Sequence, residues 1–305
     1  MQLDAFPRDP VSPGFPGSQA PSQPGLLRRH VLGWWGLAAA FPSLAGPAGT
    51  EVAYGKHARQ RTDVYPGASQ RPDPSKPAPC LLFVHGGAWS IGNKSTAEHK
   101  VAVFHEHGYV MAALNYRLHP EVTPHQQAED LALALAQLHQ RGSEWGIDTA
   151  RFALMGHSAG AHLAALVALN PAYLSAAGFP LTSLRSVVLL DGAGYDIPRQ
   201  IREGENARLY RRVFGQDLAV QQRLSPLSHA TTPRVHWPAF QIHHVARRSS
   251  SRDQSNALAA AIVRAGGVAE VHAAQDENHL TINKGFGDAG DPTTQKTFTF
   301  LQRYL

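Results

Sequence analysis

The chain has little with which cysteine chemistry or dense charge could carry a function. Cys80 is the only cysteine among 305 residues, so no disulfide can close within the chain, and cysteine usage selects no compartment. Its place before the apolar run Leu81-Leu82-Phe83-Val84 reads as strand entry. An activated thiol needs a helix N-terminus or a cationic neighbour, and the sequence implies neither. Charged residues make up only 17%. The formal net charge is +5, yet the densest basic spots are the pairs Arg28-Arg29, Arg211-Arg212 and Arg247-Arg248. No long basic run offers a footprint for nucleic acid. There is no G-x-G-x-x-G and no G-x-x-x-x-G-K-[ST], so no phosphate-cradling cofactor is expected. His105-Glu106-His107 and His243-His244 lack H-E-x-x-H spacing and a companion cysteine pair, so no metal is expected either. No apolar stretch approaches the roughly 20 residues of a membrane span.

What is present begins with an address. Residues 1–27 are rich in Pro, Gly and Ser and show no periodicity. Arg28-Arg29-His30-Val31-Leu32-Gly33 follows, then an apolar run from Trp34 to Leu44 that Pro42 interrupts, then the small residues Ala45-Gly46-Pro47-Ala48. A charged start, a short apolar middle and a small-residue cut site describe a secretory signal. The arginine pair resembles that of a twin-arginine signal. The expectation is a leader over residues 1–48, cut near Ala45 or Ala48, and an exported, periplasmic product. The remainder, 49–305, fits one domain, and its 43% hydrophobic content suits a compact globule.

Beyond Gly49 the chain alternates strands and helices. Short apolar runs bounded by turn residues predict buried strands at 81–85, 109–115, 151–156, 185–190, 238–243 and 268–274. Helical patterns lie at about 95–107, 125–141, 159–169, 251–265 and 292–304, the last with Asp291 as N-cap and Pro292 at its first position. This alternation predicts an α/β fold, a mostly parallel central sheet with helices on both faces. Residues 192–237 break the rhythm with a long, polar, Pro-punctuated stretch carrying Tyr195, Tyr210 and Phe214. Such an insertion beside the sheet's carboxyl edge is expected to act as a lid or substrate-binding element.

Two motifs carry chemistry. Gly156-His157-Ser158-Ala159-Gly160 sits between the strand Arg151–Met155 and the small-residue helix Ala161–Leu169. This is G-x-S-x-G in a strand–turn–helix setting, which exposes a nucleophilic Ser158 at a helix N-terminus. The strand Leu81–Val84 runs into His85-Gly86-Gly87-Ala88-Trp89, a loop that supplies backbone donors to a developing oxyanion. The expected donors are the amides of Gly87 and Ala159, with Gly86 or Ala88 helping. His85 is expected to order the loop. Trp89 lines the acyl pocket or belongs to the core, and His157 and Tyr195 join it as candidate substrate contacts. The base should follow the last strand, where His279 stands in Gln275-Asp-Glu-Asn-His279; histidine suits proton transfer near neutral pH.

The segments Tyr54-Gly55, Asp63-Val64-Tyr65, His85–Trp89, Asn115-Tyr116-Arg117-Leu118, the elbow and His279-Leu-Thr-Ile-Asn283 resemble the esterase/arylformamidase branch of the α/β hydrolases, related to hormone-sensitive-lipase-like carboxylesterases. The resemblance covers residues 50–305. It implies an α/β-hydrolase fold with a cap-like insertion, a Ser-His-Asp esterase acting on a small ester, and no cofactor. The chain departs from that pattern at the acid. The family's aspartate follows the penultimate strand, and here that position reads Arg247. The nearest carboxylate is Asp253, which also suits a capping box with Ser250 at the start of the next helix. Asp191, after the preceding strand, is the reserve, and an absent acid is the third possibility. Alternative functions are therefore arylformamide hydrolysis and a catalytically weakened, exported binding protein. Acyl and alcohol specificity and oligomeric state are not written in the sequence.

Overall fold

A computed structural model describes residues 49–67, 77–231 and 234–305; the leader expected over 1–48 lies outside the described residues. The strands are β1 (Thr50–Ala53), β2 (Arg61–Tyr65), β3 (Ala78–Val84), β4 (Val110–Asn115), β5 (Ile147–His157), β6 (Leu184–Leu190), β7 (Ala239–Val245) and β8 (Ala269–Ala274). They form one eight-stranded sheet in the order β1-β2-β4-β3-β5-β6-β7-β8. From β4 to β8 every pairing is parallel, while β1 and β2 are antiparallel additions at one edge.

The helices between β3 and β6 are α1 (Val101–Glu106), α2 (Pro124–Gln140), α3 (Ala159–Leu169) and α4 (Pro171–Ala177). After β6 come α5 (Ile197–Glu203), α6 (Ala207–Phe214), α7 (Leu218–Arg223) and α8 (Pro226–His229); then α9 (Ser249–Arg264), α10 (Thr281–Lys284) and α11 (Pro292–Tyr304). Local chemistry sets several boundaries. Thr123 and Gln126 close a capping box on α2, with Pro124 at its first position. Asp291 caps α11 through the amides of Thr293 and Thr294, as its sequence predicts. The capping box expected around Ser250 and Asp253 does not form. Helix α9 already begins at Ser249, Arg248 occupies the cap position without a side-chain cap bond, and Asp253 lies inside the helix.

The central strands read as apolar runs because both of their faces are covered. Successive side chains of β3 alternate between two cores. Cys80, Leu82 and Val84 join Leu154, Val187, Leu189, Phe240 and Ile242 beneath α2, α3 and α9. Leu81 and Phe83 join Met111, Met155 and Val188 against Phe104, Phe286 and Phe298 on the other face. Strands β1, at the sheet's edge, and β2, beside it, show no apolar run because Thr-Glu-Val-Ala and Arg-Thr-Asp-Val-Tyr each open on consecutive polar or charged residues.

The parallel register positions the active end. Val84 lies beside Gly156, Gly156 beside Leu189, and Leu190 beside His243. The carboxyl ends of β3, β5, β6 and β7 therefore finish in step, and the loops that follow them meet. Helix α3 crosses this row closely at Gly160. A Cβ there would stand 2.1 Å from the carbonyl oxygen of Val84, a backbone atom with nowhere to move. Gly160→Ala is expected to destabilise the fold by about 1–3 kcal/mol. A urea denaturation curve should show the lowered midpoint, and an unchanged midpoint would mean that the helix can lift off β3 without cost.

Candidate active site

Ser158 occupies the turn between β5 and α3. Its backbone is left-handed, with φ 55° and ψ −117°. For a residue with a Cβ this is a strained conformation, costing on the order of 1–3 kcal/mol. The amide of Ser158 donates to Leu190 O at 3.0 Å, which ties the turn to β6. Serine Oγ lies 3.0 Å from Nε2 of His279. Nδ1 of the same ring lies 2.7 Å from Oδ2 of Asp191. The three side chains thus make one continuous chain of contacts from three loops that follow three different strands.

Asp191, the reserve candidate for the acid, is the carboxylate that meets His279. It directly follows β6, its φ of 44° turns the side chain toward His279, and it is fully buried. Its own amide donates to His243 O at 2.7 Å, and Oδ1 accepts from the amide of Val245 at 3.0 Å. Oδ2 also receives Nη1 of Arg248. Burial pushes the carboxyl's pKa up. The His279 ring, the Arg248 guanidinium and the Val245 amide outweigh that and hold it well below the usual carboxylate range. Asp253 must be corrected as the acid. It sits on the exposed side of α9, pairs with Arg252 at 3.0 Å and lines a separate polar hollow with Arg199, Glu203 and Ser249. Arg247, at the family's acid position, points to solvent.

His279 is held from both sides. His157 donates from Nε2 to the carbonyl of His279 at 2.8 Å, and burial drives the His157 pKa down to about 3, so it stays a neutral donor. Asn278 Oδ1 accepts from the amides of Leu280 and Thr281, closing the turn into α10. The buried ammonium of Lys100 donates to Asn283 O at the far end of that helix. His157, expected to touch substrate, therefore holds the backbone of His279 instead.

The loop after β3, where the oxyanion donors are expected, is built by packing and hydrogen bonds around His85. Its ring stacks on Tyr116 at 4.4 Å, and Tyr116 donates its hydroxyl to His85 O at 3.0 Å. Nδ1 of His85 donates to Gly86 O at 2.6 Å, and Arg59 ties the loop's far end by donating to Gly92 O at 2.9 Å. Burial lowers the His85 pKa to about 4, so the ring orders the loop as a neutral group. Gly87 adopts φ 117°, and a Cβ there would stand 2.1 Å from Ile91 O. The amides of Gly86, Gly87 and Ala88 donate to no acceptor among the described residues. The amide of Ala159, first in α3, has no intrahelical partner by geometry. A Cβ on Gly86 would come within 3.0 Å of Ser158 Cβ, so the loop lies directly against the nucleophile.

Of the candidate substrate contacts, Trp89 takes the second of its two expected places, the core, and Tyr195 is corrected by burial. Trp89 is 2% exposed and packs edge-on against His162, Tyr210 and Phe214. Tyr195 has no exposure at all and lies in the same core. Both rings fasten the 192–237 insertion to the sheet and present no face to the site. Sequence reasoning also missed Arg248. Its only signal is the Arg247-Arg248 pair at the position where the acid is expected. Among the described residues no group of three or more His, Cys, Asp or Glu is arranged to hold a metal ion, and no helix is long and apolar enough to cross a membrane.

Residues 64–176 match the BD-FAE family model. A rice protein (Oryza sativa subsp. japonica), named "Probable isoprenylcysteine alpha-carbonyl methylesterase ICME", is 31% identical over 188 residues, covering 60% of this chain and 44% of that protein. Esterase LipQ of Mycobacterium tuberculosis is 34% identical over 125 residues, covering 40% of this chain and 29% of its own length. The chain thus spans less than two thirds of the curated relatives it matches. The structure of a thermophilic esterase from the Planctomycetes species Thermogutta terrifontis superposes with a TM-score of 0.67 at 23% identity, covering 84% of this chain and 91% of that one. That likeness shows a shared fold.

The geometry separates the two carboxylates by experiment. Asp191→Asn removes the charge that orients and stabilises His279, and turnover should fall by on the order of 10⁴. Asp253→Asn should leave the reactivity of Ser158 toward a fluorophosphonate unchanged. Loss of labelling in Asp253→Asn alone would reverse the assignment.

Proposed function

We propose that this chain is a member of the α/β-hydrolase carboxylesterases, as the matching family model and the esterase relatives support, and a serine esterase that cleaves small carboxylic esters through an acyl-enzyme. The observation that carries this reading is the unbroken contact from Asp191 through His279 to Ser158 Oγ, set against free amides of the Gly86–Ala88 loop. Ser158 attacks the acyl carbonyl while His279 takes its proton at Nε2. Asp191 keeps the proton on Nδ1 and stabilises the imidazolium that forms. The amides of Gly87 and Ala159, with Gly86, hold the oxyanion; each such donor contributes about 2.7–4 kcal/mol to the transition state. His279 then protonates the leaving alcohol, and water releases the acyl group by the same steps in reverse.

The relatives' names support an ester as substrate, a methyl ester in the rice protein. No observation favours a formamide. The idea of a weakened binding protein drew its support from a missing acid, and Asp191 stands 2.7 Å from the base. The activity is further read as exported. The Arg28-Arg29 pair, the short apolar run and Ala45-Gly46-Pro47-Ala48 support that.

Ser158→Ala should abolish fluorophosphonate labelling and lower turnover of 4-nitrophenyl acetate by on the order of 10⁶. Full activity in that variant would end the assignment. Faster hydrolysis of an arylformamide than of simple esters would overturn the choice of ester. For export, residues 1–48 fused to a reporter should direct it across the membrane, and changing Arg28 and Arg29 together to Lys should retain it in the cytoplasm. Export of the unfused reporter only, or indifference to the arginines, counts against the twin-arginine route.

A further inference from the structure

The acid–base pair has a third member, and it is a cation. Nη1 of Arg248 contacts Oδ2 of Asp191, the same oxygen that His279 uses, and lies 2.8 Å from Nδ1 of His279. It stands 3.3 Å from the backbone oxygen of Asp191 as well. A ring nitrogen has one in-plane position. Nδ1 either carries a proton and donates to Asp191, or is bare and accepts from Arg248. An imidazolium must carry a proton on Nδ1, and that proton then points between a carboxylate and a guanidinium. In the tautomer that can act as base, with the proton on Nδ1, Arg248 makes no hydrogen bond to the ring and opposes the protonated form by like charge at close range.

Resting on the esterase reading above, we propose that Arg248 is a positioning residue that shares the triad carboxylate with His279 and sets the pH at which the Ser158–His279 pair becomes active. Its placement serves two ends. It neutralises a carboxylate that has no solvent contact, so Asp191 keeps its charge. It also sets a like charge 2.8 Å from Nδ1, against any further proton that the ring gains. The guanidinium reaches both atoms because Arg248 stands at the N-cap of α9, three residues after the end of β7, in the loop where the family places its acid.

Other charged or titratable groups face the same ring. His157, from the elbow, touches the backbone of His279, and its ring centroid lies 4.8 Å away. Lys100 reaches the end of α10, and burial lowers its pKa to about 7. Glu277 lies two residues before the base on its own loop, with its carboxyl pKa raised by burial. Tyr195 and Tyr210, buried in the insertion, carry raised pKa values and stay neutral. All are common to the wild type and an Arg248 variant, so a difference between the two profiles reports Arg248.

The test is the pH dependence of kcat/KM for 4-nitrophenyl acetate in the full chain, wild type against Arg248→Gln and Arg248→Lys. Loss of the nearby positive charge favours the imidazolium. In Arg248→Gln the acid limb should therefore move to higher pH by about one unit. Lysine keeps a charge for Asp191, but its shorter stem holds that charge farther from the ring, so the limb should move the same way by roughly half a unit. A purely structural role would lower kcat/KM equally at every pH. An acid limb that coincides with the wild type in either variant that folds overturns the proposal. A wild type that neither hydrolyses the ester nor is labelled at Ser158 overturns the esterase reading, and this inference with it. An active wild type with unmoved variant limbs overturns the inference alone.

Discussion

Val84, Gly156 and Leu189 lie side by side across three parallel strands, and the active end of the molecule depends on that register. Because β3, β5, β6 and β7 end in step, their following loops share one small volume above the sheet. Each loop is then free to specialise. The one after β3 offers amides, the one after β5 a strained serine, the one after β6 a carboxylate, and the one after β7 a guanidinium. A slip of one residue in any pairing would turn the alternating side chains of that strand to the wrong core. The same alternation that fills the two cores with Leu82 and Val84 on one side and Leu81 and Phe83 on the other therefore fixes where Ser158 stands.

The place of Asp191 follows from this geometry. Neighbouring parallel strands are about 4.8 Å apart, so moving the carboxylate from β7 to β6 shifts its backbone by one strand spacing. A side chain can absorb that shift if its backbone is re-aimed, and the positive φ of Asp191 does so. Two amide contacts, Asp191 N to His243 O and Val245 N to Asp191 Oδ1, lock the new position to β7. The move places the carboxylate in a fully buried setting, where a charge needs partners. His279 supplies one and Arg248 the other. The arginine and the displaced aspartate are thus two parts of one solution, and neither is intelligible from the sequence taken singly.

How far the sequence could be read depended on which residues declare their direction. The elbow and the His-Gly-Gly loop declare theirs, because glycine is demanded by backbone approach and the flanking strand and helix fix the orientation. His279 declares itself by order along the chain, coming after the last strand. The acid does not. Asp253 and Asp191 both follow strands at the right edge, and proximity in sequence favoured Asp253. What separates them is a backbone dihedral at Asp191 and the early start of α9 at Ser249, and neither leaves a compositional mark. Strands β1 and β2 were silent for a different reason. Each opens on consecutive polar or charged residues, so no apolar run stands out.

Trp89 shows why an aromatic beside a catalytic loop is a poor guide to substrate contacts. Its carbonyl accepts from the amide of His119 at 2.9 Å and from the side chain of Gln127 at 2.8 Å. Its indole N–H, which can only donate, lies 3.2 Å from Nδ1 of His162. His162 must therefore be bare at Nδ1 and protonated at Nε2, and that proton goes to Leu224 O in the insertion at 2.9 Å. Burial lowers the His162 pKa to about 4, which keeps this tautomer neutral. One relay thus runs from the oxyanion loop through the nucleophile's helix into the insertion, with Tyr210 and Phe214 packed around it. A loop that must hold amides in place for a transient charge gains from such anchoring, because donors set in advance need no rearrangement when the charge appears. Burying Trp89 therefore takes it from the substrate and gives it to the loop, so that the insertion and the oxyanion amides are joined as one packed unit.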